Sequence, residues 1–537
     1  MASGKKIMGS IVVFSIFFMV CIISSASAIS GKEENLLTPR ENKIRIGLRN
    51  LVQEVVNKNA GAVSDYLQAQ ISQEHVKREK GIFEPVLKSS LSRAENHIPN
   101  TAEDLLTRQQ LEYFEDVNKF DVGVTGRVNT GATWDVQFID RQRSSSVIDR
   151  YRPYEYEYDN SIKLSLEQPI LKGFGKSANY AKINIAKVES EIDSQKLNQK
   201  LMELAAVAAQ LYWKLYGTQK IEESWRKSLD IAENSIDDIE ARAKGGKIAY
   251  TDLMEAQSAV SILRSEWYNA KSKVVEVQNQ LFTLLNVPAS EFKEVLLIAT
   301  DNPFGDYEDI TDRDRYVELA LKKWPEYEIA KKQMAKEKIQ LKYAENQLLP
   351  QFDIFGSVSL NSLDDGYKDS FRKIADDEFF SWQTGIKLSV PLYGNAQARS
   401  EKNIAEMRVK KAEFELEALE KSLANSVYSK IDAVMIIQEE VKEYERAMKI
   451  REQLREIEQA KFHSGRISLK ELYDEEEDFV DFQRKLLSSI VNFKLAQATL
   501  QIATGKILEK YGIDPAEINF KTRVQAMNLK KDASKAH

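Results

Sequence analysis

Residues 241–256 read ARAKGGKIAYTDLMEA, and residues 460–475 read AKFHSGRISLKELYDE. The two stretches align without a gap, and Gly246 falls on Gly465. Each stretch lies between two long runs of helical periodicity. A glycine in such a place ends one helix and lets the chain reverse before the next helix begins. The sequence therefore predicts two copies of a helical hairpin.

The helices that flank these turns are unusually long. No Pro or Gly occurs between Gln397 and Phe462, and apolar residues recur there at steps of three and four. This pattern predicts a coiled-coil-like helix on the order of 100 Å long. Residues 177–243 predict a similar helix, and shorter helices are predicted after the turns, at 251–286 and 470–504.

Between the helices lie segments in which apolar and polar residues alternate. Such a segment either covers a soluble core or places its apolar face against lipid and its polar face in a water-filled lumen. The export signal described below and the length of the strands, about ten residues, favour lipid. The alternating segments are 83–93, 120–124, 134–138, 158–166, 351–361 and 382–390. The residues predicted to face lipid are Trp382, Ile386, Leu388, Ile162 and Leu164.

The N-terminus resembles a secretory signal. Lys5 and Lys6 precede an apolar run, which ends in the small residues Ala26-Ser27-Ala28. A membrane anchor is the alternative, because the run is near spanning length. The only cysteine, Cys21, lies in this signal, so no disulfide or thiolate metal site is expected in the mature chain. The net charge of −6 and the lack of a long basic block argue against nucleic acid as a partner.

No catalytic, cofactor or metal site is predicted. The segment GlyPheGlyLysSer at 173–177 fits only the end of a phosphate-binding loop, because the position of the first glycine holds Ile170. The four histidines have no metal-ligand spacing. The acidic run at 474–478 lacks the glycine and the alternating ligands of a calcium loop, which favours a solvated helix face. The chain is therefore not expected to be an enzyme.

The strands cannot close a barrel within one chain. At most six are visible, whereas a closed membrane barrel needs about eight or more. Open edges in lipid would leave backbone groups unpaired, so other copies must complete the barrel by cyclic symmetry. Three copies supply 12 or 18 strands. The predicted fold is mostly α with β and internally duplicated, with a trimeric α-barrel of long helices beneath a shared trimeric transmembrane β-barrel.

These features together resemble the TolC-like outer membrane efflux protein family over about residues 36–505. The resemblance rests on the duplication, the glycine turns, the segment LLPQFDIFGSVSLN, and the strand-to-helix turns SLEQPILKGFG and SVPLYGNAQARS. It implies a homotrimeric duct in the outer membrane that extends into the periplasm, without catalysis or cofactor. Such a duct receives small molecules, or proteins of type I secretion, from an inner-membrane transporter and a periplasmic adaptor protein.

The resemblance also implies roles for the turns, which form the periplasmic tip of the tube in that family. Gly245, Gly246 and Gly465 take the positions of the tip turns. Glu471 and Asp474 take the positions of the pore-entrance acids, on one helix face because they are three residues apart. Three copies would crowd six carboxylates, which should raise their pKa values and attract cations.

A latch that closes the tip in the family is only partly present. It joins an aspartate of the first turn to an arginine and a tyrosine of the second turn. Asp252 takes the aspartate position, but the tyrosine position holds Phe462 and the arginine position holds Ile467, with Arg466 one residue earlier. The rest of the acidic run is expected to be ordinary surface, namely Glu475, Glu476 and Glu477.

The family has one strand hairpin in each half of the chain. The first half of this sequence has an additional one, around the short turn Asn129-Thr130-Gly131. Either each chain contributes six membrane strands or this hairpin is an extracellular extension. The alternatives to a duct are a soluble periplasmic coiled-coil scaffold and an adaptor protein.

The predicted segments are a signal peptide (1–28), lead-in helices (29–82), strands (83–169) and a long hairpin (170–290) of repeat 1, a linker with lead-in helix (291–347), strands (348–392) and a long hairpin (393–505) of repeat 2, and a tail (506–537).

Overall fold

The computed structural model describes residues 42–151, 155–288, 295–305, 307, 310–374, 379–516, 518 and 520. The predicted signal peptide and residues 521–537 of the predicted tail lie outside the described residues.

The helices in chain order are α1 (Leu48–Lys58), α2 (Ala60–Lys80), α3 (Ala102–Arg108), α4 (Ser146–Tyr151), α5 (Lys176–Asn179), α6 (Ala181–Lys244), α7 (Tyr250–Leu284), α8 (Arg313–Lys323), α9 (Pro325–Leu348), α10 (Tyr367–Lys373), α11 (Ala396–His463), α12 (Leu469–Ala503) and α13 (Ile507–Lys510). The strands are β1 (Asn42–Ile46), β2 (Val86–Pro99), β3 (Glu112–Arg127), β4 (Thr133–Ser145), β5 (Glu157–Pro169), β6 (Val295–Ala299), β7 (Gln351–Asp364) and β8 (Phe379–Ser389).

Two long helical hairpins dominate the molecule. Helix α6 has 64 residues and α11 has 68 residues, each about 100 Å at 1.5 Å per residue. The returning helices α7 and α12 have 35 residues each. The first long helix starts later than its periodicity predicts. Tyr180, with φ −96° and ψ 0°, leaves the helical region and separates the single turn of α5 from α6.

Three apolar clusters hold the helices together. One lies among α1, α2, α6 and α7, one lies among α8, α11 and α12, and one lies near the glycine turns between α6, α7 and α12. The described part of the tail contributes to the first cluster. Its buried apolar side chains are Ile507, Leu508, Tyr511, Ile513 and Phe520.

A small parallel sheet lies where the sequence predicted only lead-in helices and a linker. β1 pairs with β6, with Asn42 opposite Val295 and Ile46 opposite Ala299. The two strands are five residues long and about 250 residues apart in the chain. Their short patterns resemble loop sequence when read locally, because only the distant partner supplies the backbone hydrogen bonds.

The other strands form one antiparallel sheet in the order β2-β3-β4-β5-β7-β8. Its two faces differ in polarity, as the alternation of apolar and polar residues along the strands predicts. Trp382 lies opposite Val358, and Val358 lies opposite Leu164, so that apolar residues of β8, β7 and β5 share one face. All five residues predicted to face lipid are exposed on this face, with Trp382 69% and Ile386 67% accessible.

Among the described residues, no helix combines the length and the apolar character needed to cross a bilayer.

Candidate functional site

The two glycine turns lie at the ends of the long hairpins and have the same backbone geometry. Gly246 and Gly465 adopt the left-handed conformation, with φ +68° and +71°. Lys247 N donates to Arg242 O at 2.9 Å, and Arg466 N donates to Lys461 O at 2.9 Å, the six-residue closure that ends helices at a left-handed glycine. Gly245, by contrast, has φ −80°, which other residues adopt without strain.

Each returning helix begins with an acid that caps its own N-terminus. The Asp252 carboxylate accepts a hydrogen bond from Ala249 N at 3.2 Å. The Glu471 carboxylate accepts one from Ser468 N at 2.7 Å, while Ser468 Oγ accepts from Glu471 N at 3.2 Å. This is a capping box, so both acids have a structural role that the aligned turns did not reveal.

Glu471 and Asp474 are both exposed on the first turns of α12. Within one chain the hydrogen bonds from Ser468 hold the pKa of Glu471 below its usual value. The crowding of carboxylates that is expected in a trimer would instead raise this pKa. The helix cap therefore favours an ionised Glu471 until the carboxylates of neighbouring copies are brought together.

The predicted latch residues line one cleft between the two turns. This cleft, of about 640 Å³, contains Asp252, Phe462, Arg466 and Glu471 in its wall. Among the described residues no ion pair joins Asp252 to Arg466. Arg242 of the first hairpin reaches the second turn. Its guanidinium lies 3.7 Å from the position that a Cβ atom on Gly465 would occupy.

The two departures from the family latch have a packing role. Phe462 and Ile467 pack against the apolar cluster near the turns, whose buried members include Leu229, Ala256 and Leu472. Where a polar latch would join the turns through hydrogen bonds, this chain joins them through apolar contact. The sequence indicated the loss of the polar groups but not the contact that replaces them.

Glu476 is buried, so the expectation of ordinary surface was wrong for this residue. Its side chain is 4% accessible. Ser228 Oγ donates to it at 2.7 Å, Gln459 Nε2 donates at 2.8 Å, and the Arg455 guanidinium forms an ion pair at 2.8 Å. We call these four residues the Glu476 cluster. It joins α6, α11 and α12 a short distance from the turns.

A helical signal for this burial exists in the sequence. Leu472, four residues before Glu476, and Phe479 and Val480, three and four residues after it, are all buried. Glu476 therefore lies on the apolar face of α12, within a run that reads as charged. The neighbouring Glu477 is exposed.

The glycine-rich segment at 173–177 has no free cradle of amides. Gly173 N donates to the Asn346 side chain at 2.8 Å, and Gly175 N donates to Thr130 O at 2.9 Å. A phosphate-binding loop needs such amides to point at the ligand. The segment is a tight turn between β5 and α5. No group of metal-ligating side chains is present in the described part of the chain.

Comparison with known proteins identifies one family. The model of the family described as outer membrane efflux protein matches residues 139–287 and 317–506. No curated protein sequence matches the chain.

Solved structures share the fold at low identity. The Campylobacter jejuni CmeC outer membrane channel is 11% identical, with a TM-score of 0.61 over 89% of this chain and 88% of that chain. The outer membrane protein VceC from Vibrio cholerae is 14% identical, with a TM-score of 0.58 over 85% and 96%. The open state of the Neisseria gonorrhoeae MtrE outer membrane channel is 12% identical, with a TM-score of 0.58 over 85% and 88%.

Proposed function

The chain belongs to the outer membrane efflux protein family, and from this premise we propose that three copies form an exit duct across the outer membrane and the periplasm. The protein is located in the outer membrane and extends into the periplasm. The observation that carries the proposal is the joining of a sheet with an exposed apolar face to two helical hairpins of about 100 Å.

The connections of the sheet support its orientation in the membrane. On the side of the long helices, β3 and β4 are joined by the short turn at 128–132. On the opposite side the connections are longer, and they contain α3, α4 and α10. Membrane barrels have short periplasmic turns and longer extracellular loops, so the helices extend into the periplasm.

Exposed apolar residues along α11 support assembly with further copies. Met407 and Phe414 are 68% and 72% accessible and lie seven residues apart. Ile436, Ile450 and Ile457 follow further along the helix at steps of 14 and seven residues, and each is more than half accessible. A seam with this period is covered by another helix in a coiled coil. In the duct, α11 packs against a helix of the neighbouring copy.

In the proposed assembly the duct has no catalytic role. It receives small molecules, or proteins of type I secretion, from an inner-membrane transporter through a periplasmic adaptor protein that docks at the tip. A soluble coiled-coil scaffold is the competing function, but its sheet would leave a broad apolar face in water.

Membrane fractionation followed by native mass measurement tests the duct. We expect the mature protein in the outer-membrane fraction as a trimer in detergent micelles, because the exposed apolar face of the sheet needs lipid and the seam on α11 needs a second copy. A monomer in the soluble periplasmic fraction would contradict the proposed duct and favour the soluble scaffold.

Removing the charges of Glu471 and Asp474 is expected to weaken block by a trivalent cation in single-channel recordings. Glu471→Gln keeps the hydrogen-bond acceptor that a capping box needs, whereas alanine would also damage the helix start. Each carboxylate contributes roughly 1 kcal/mol to a nearby charge in water. The half-blocking concentration should therefore rise at least about tenfold in Glu471→Gln with Asp474→Asn.

The matched control is the same pair in the first repeat, Asp252→Asn with Glu255→Gln, which should leave block nearly unchanged. Block in the wild type should weaken as the pH falls, because protonation of Glu471 removes a charge that attracts the cation. Equal loss of block in both double variants would remove Glu471 and Asp474 from the pore entrance.

A further inference from the structure

The sheet has two free edges, and they belong to β2 and β8. β4 pairs with β5 on one side and with β3 on the other, from Glu115 opposite Ser145 to Arg127 opposite Thr133. β3 in turn pairs along its length with β2. Within the six described strands, unpaired backbone groups therefore lie only on the outer sides of β2 and β8.

Both edge strands are long and expose apolar side chains, although β2 also carries Lys88, Arg93 and Glu95 and ends at Pro99. Natural edge strands are short or carry charges, prolines and bulges. β2 has 14 residues and β8 has 11 residues, and β8 carries one charge, Lys387. Leu87 and Leu91 on β2 are 70% and 81% accessible, and Trp382 on β8 is 69% accessible. Edges of this kind need a partner strand, in lipid above all, where unpaired amides cost several kcal/mol each.

The strands are already staggered as a closed barrel requires. One row of paired residues crosses the whole sheet, through Phe379, Asn361, Ser161, Ile139, Asp121 and Ser90. On the helix side of this row β8 continues for ten residues to Ser389, whereas β2 continues for four residues to Val86.

The strand ends are thus displaced by six residues, about 20 Å at 3.3 Å per residue. The five strand spacings of about 4.8 Å between β2 and β8 span about 24 Å. The resulting tilt of about 40° falls in the range of barrel strands, roughly 35–45°.

We propose that β2 of one copy pairs with β8 of the next copy, so that three copies close an 18-stranded barrel. This inference rests on the duct proposed above. β2 runs away from the helices and β8 runs toward them, so the two strands meet in antiparallel orientation. The family plan of one hairpin per half would give 12 strands, with β4 pairing with β8 of the next copy. In this chain β3 occupies that edge of β4.

The additional strands β2 and β3 thereby set the width of the exit. The circumference grows with strand number, so that 18 strands give a pore about 1.5 times as wide as 12 strands. The face opposite the apolar one is mostly polar, although Ile139 and Phe379 also lie on it. Its row includes Lys88, Gln137, Lys163, Ser359 and Ser381. This face lines a water-filled lumen, as in porins of 16–18 strands.

Pairs of introduced cysteines in the full-length protein test which strand meets β8. The single native cysteine, Cys21, lies in the predicted signal. Gln383→Cys places a thiol on the polar face of β8 and is combined in turn with Ser90→Cys, Ser92→Cys or Ala94→Cys on the polar face of β2. These steps of two residues cover neighbouring registers and keep both thiols on one face. A second series combines Gln383→Cys with Asp135→Cys, Gln137→Cys or Ile139→Cys on β4.

We expect covalent trimers in the membrane fraction from at least one β2 pair after mild oxidation, and none from the β4 series or from the single-cysteine variants. Covalent trimers from the β4 series alone would overturn the 18-stranded barrel and leave the duct intact. Intact native trimers without cross-links in either series would also overturn the pairing. A soluble monomer would instead remove the duct, and the barrel with it.

Discussion

Replacing Glu476 with alanine should lower the free energy of local unfolding near the tip by about 3–5 kcal/mol. The change leaves Arg455, whose side chain is 18% accessible, beside α12 without its ion-pair partner at 2.8 Å. It also removes the acceptor for Ser228 and Gln459, which tie α6 and α11 to this carboxylate. Loss of one member of a buried charge pair costs more than loss of both, because the remaining charge stays out of water.

Hydrogen exchange of the amides in α12 measures this effect, because it reports local opening instead of global unfolding. Glu477→Ala is the matched control, since Glu477 is the exposed neighbour, and it should change protection by less than about 1 kcal/mol. The double variant Glu476→Met with Arg455→Met should recover much of the loss by exchanging the pair for apolar packing. Equal protection in Glu476→Ala and Glu477→Ala would contradict a structural role for the cluster.

Tyr212→Ala should destabilise the protein by about 3–5 kcal/mol, as expected for an aromatic side chain removed from a packed core. Tyr212 is fully buried at the centre of the first cluster. Its hydroxyl donates to the Asp301 carboxylate at 2.7 Å and accepts from Thr300 N at 3.0 Å and Asp301 N at 2.9 Å. These bonds hold the end of β6 on the long helix α6.

Tyr212→Phe keeps the ring and removes only the hydroxyl, so we expect a smaller loss of about 1–3 kcal/mol. Burial raises the pKa of Tyr212 to about 12. The stability that its hydroxyl supplies is therefore present below pH 10, the usual pKa, and is lost as the pH rises through about 12. Denaturation in detergent followed by helical circular dichroism gives the comparison. Val207→Ala on the exposed side of α6 is the control, and a loss as small as that of Val207→Ala would contradict the core role of Tyr212.

Much of the fold could be predicted because its signals are local. The helices α6 and α11 follow from steps of three and four, and the left-handed Gly246 and Gly465 end them where the aligned stretches indicated. The strands β5 and β8 extend the alternating segments at 158–166 and 382–390 by a few residues. The family followed from the order of these elements, and the family model confirms it.

The candidate site was less accessible, because its contacts join distant residues. Ser228 and Glu476 are 248 residues apart, and the local sequence around either residue does not predict a contact with the other. The capping roles of Asp252 and Glu471 follow from a spacing of three residues at a helix start, so the sequence contained that signal, although the resemblance drew attention to the pore instead.

The sequence by itself determined the duplicated hairpins, the alternation of the strands and the place of the glycine turns, because each depends on residues within a few positions of one another. Only the tertiary structure decided that β5 pairs with β7, that β1 pairs with β6, and that apolar contact by Phe462 and Ile467 joins the two turns. Strand order and the packing of distant segments depend on which surfaces meet. A local period specifies which face of an element is apolar, but not the element that packs against it.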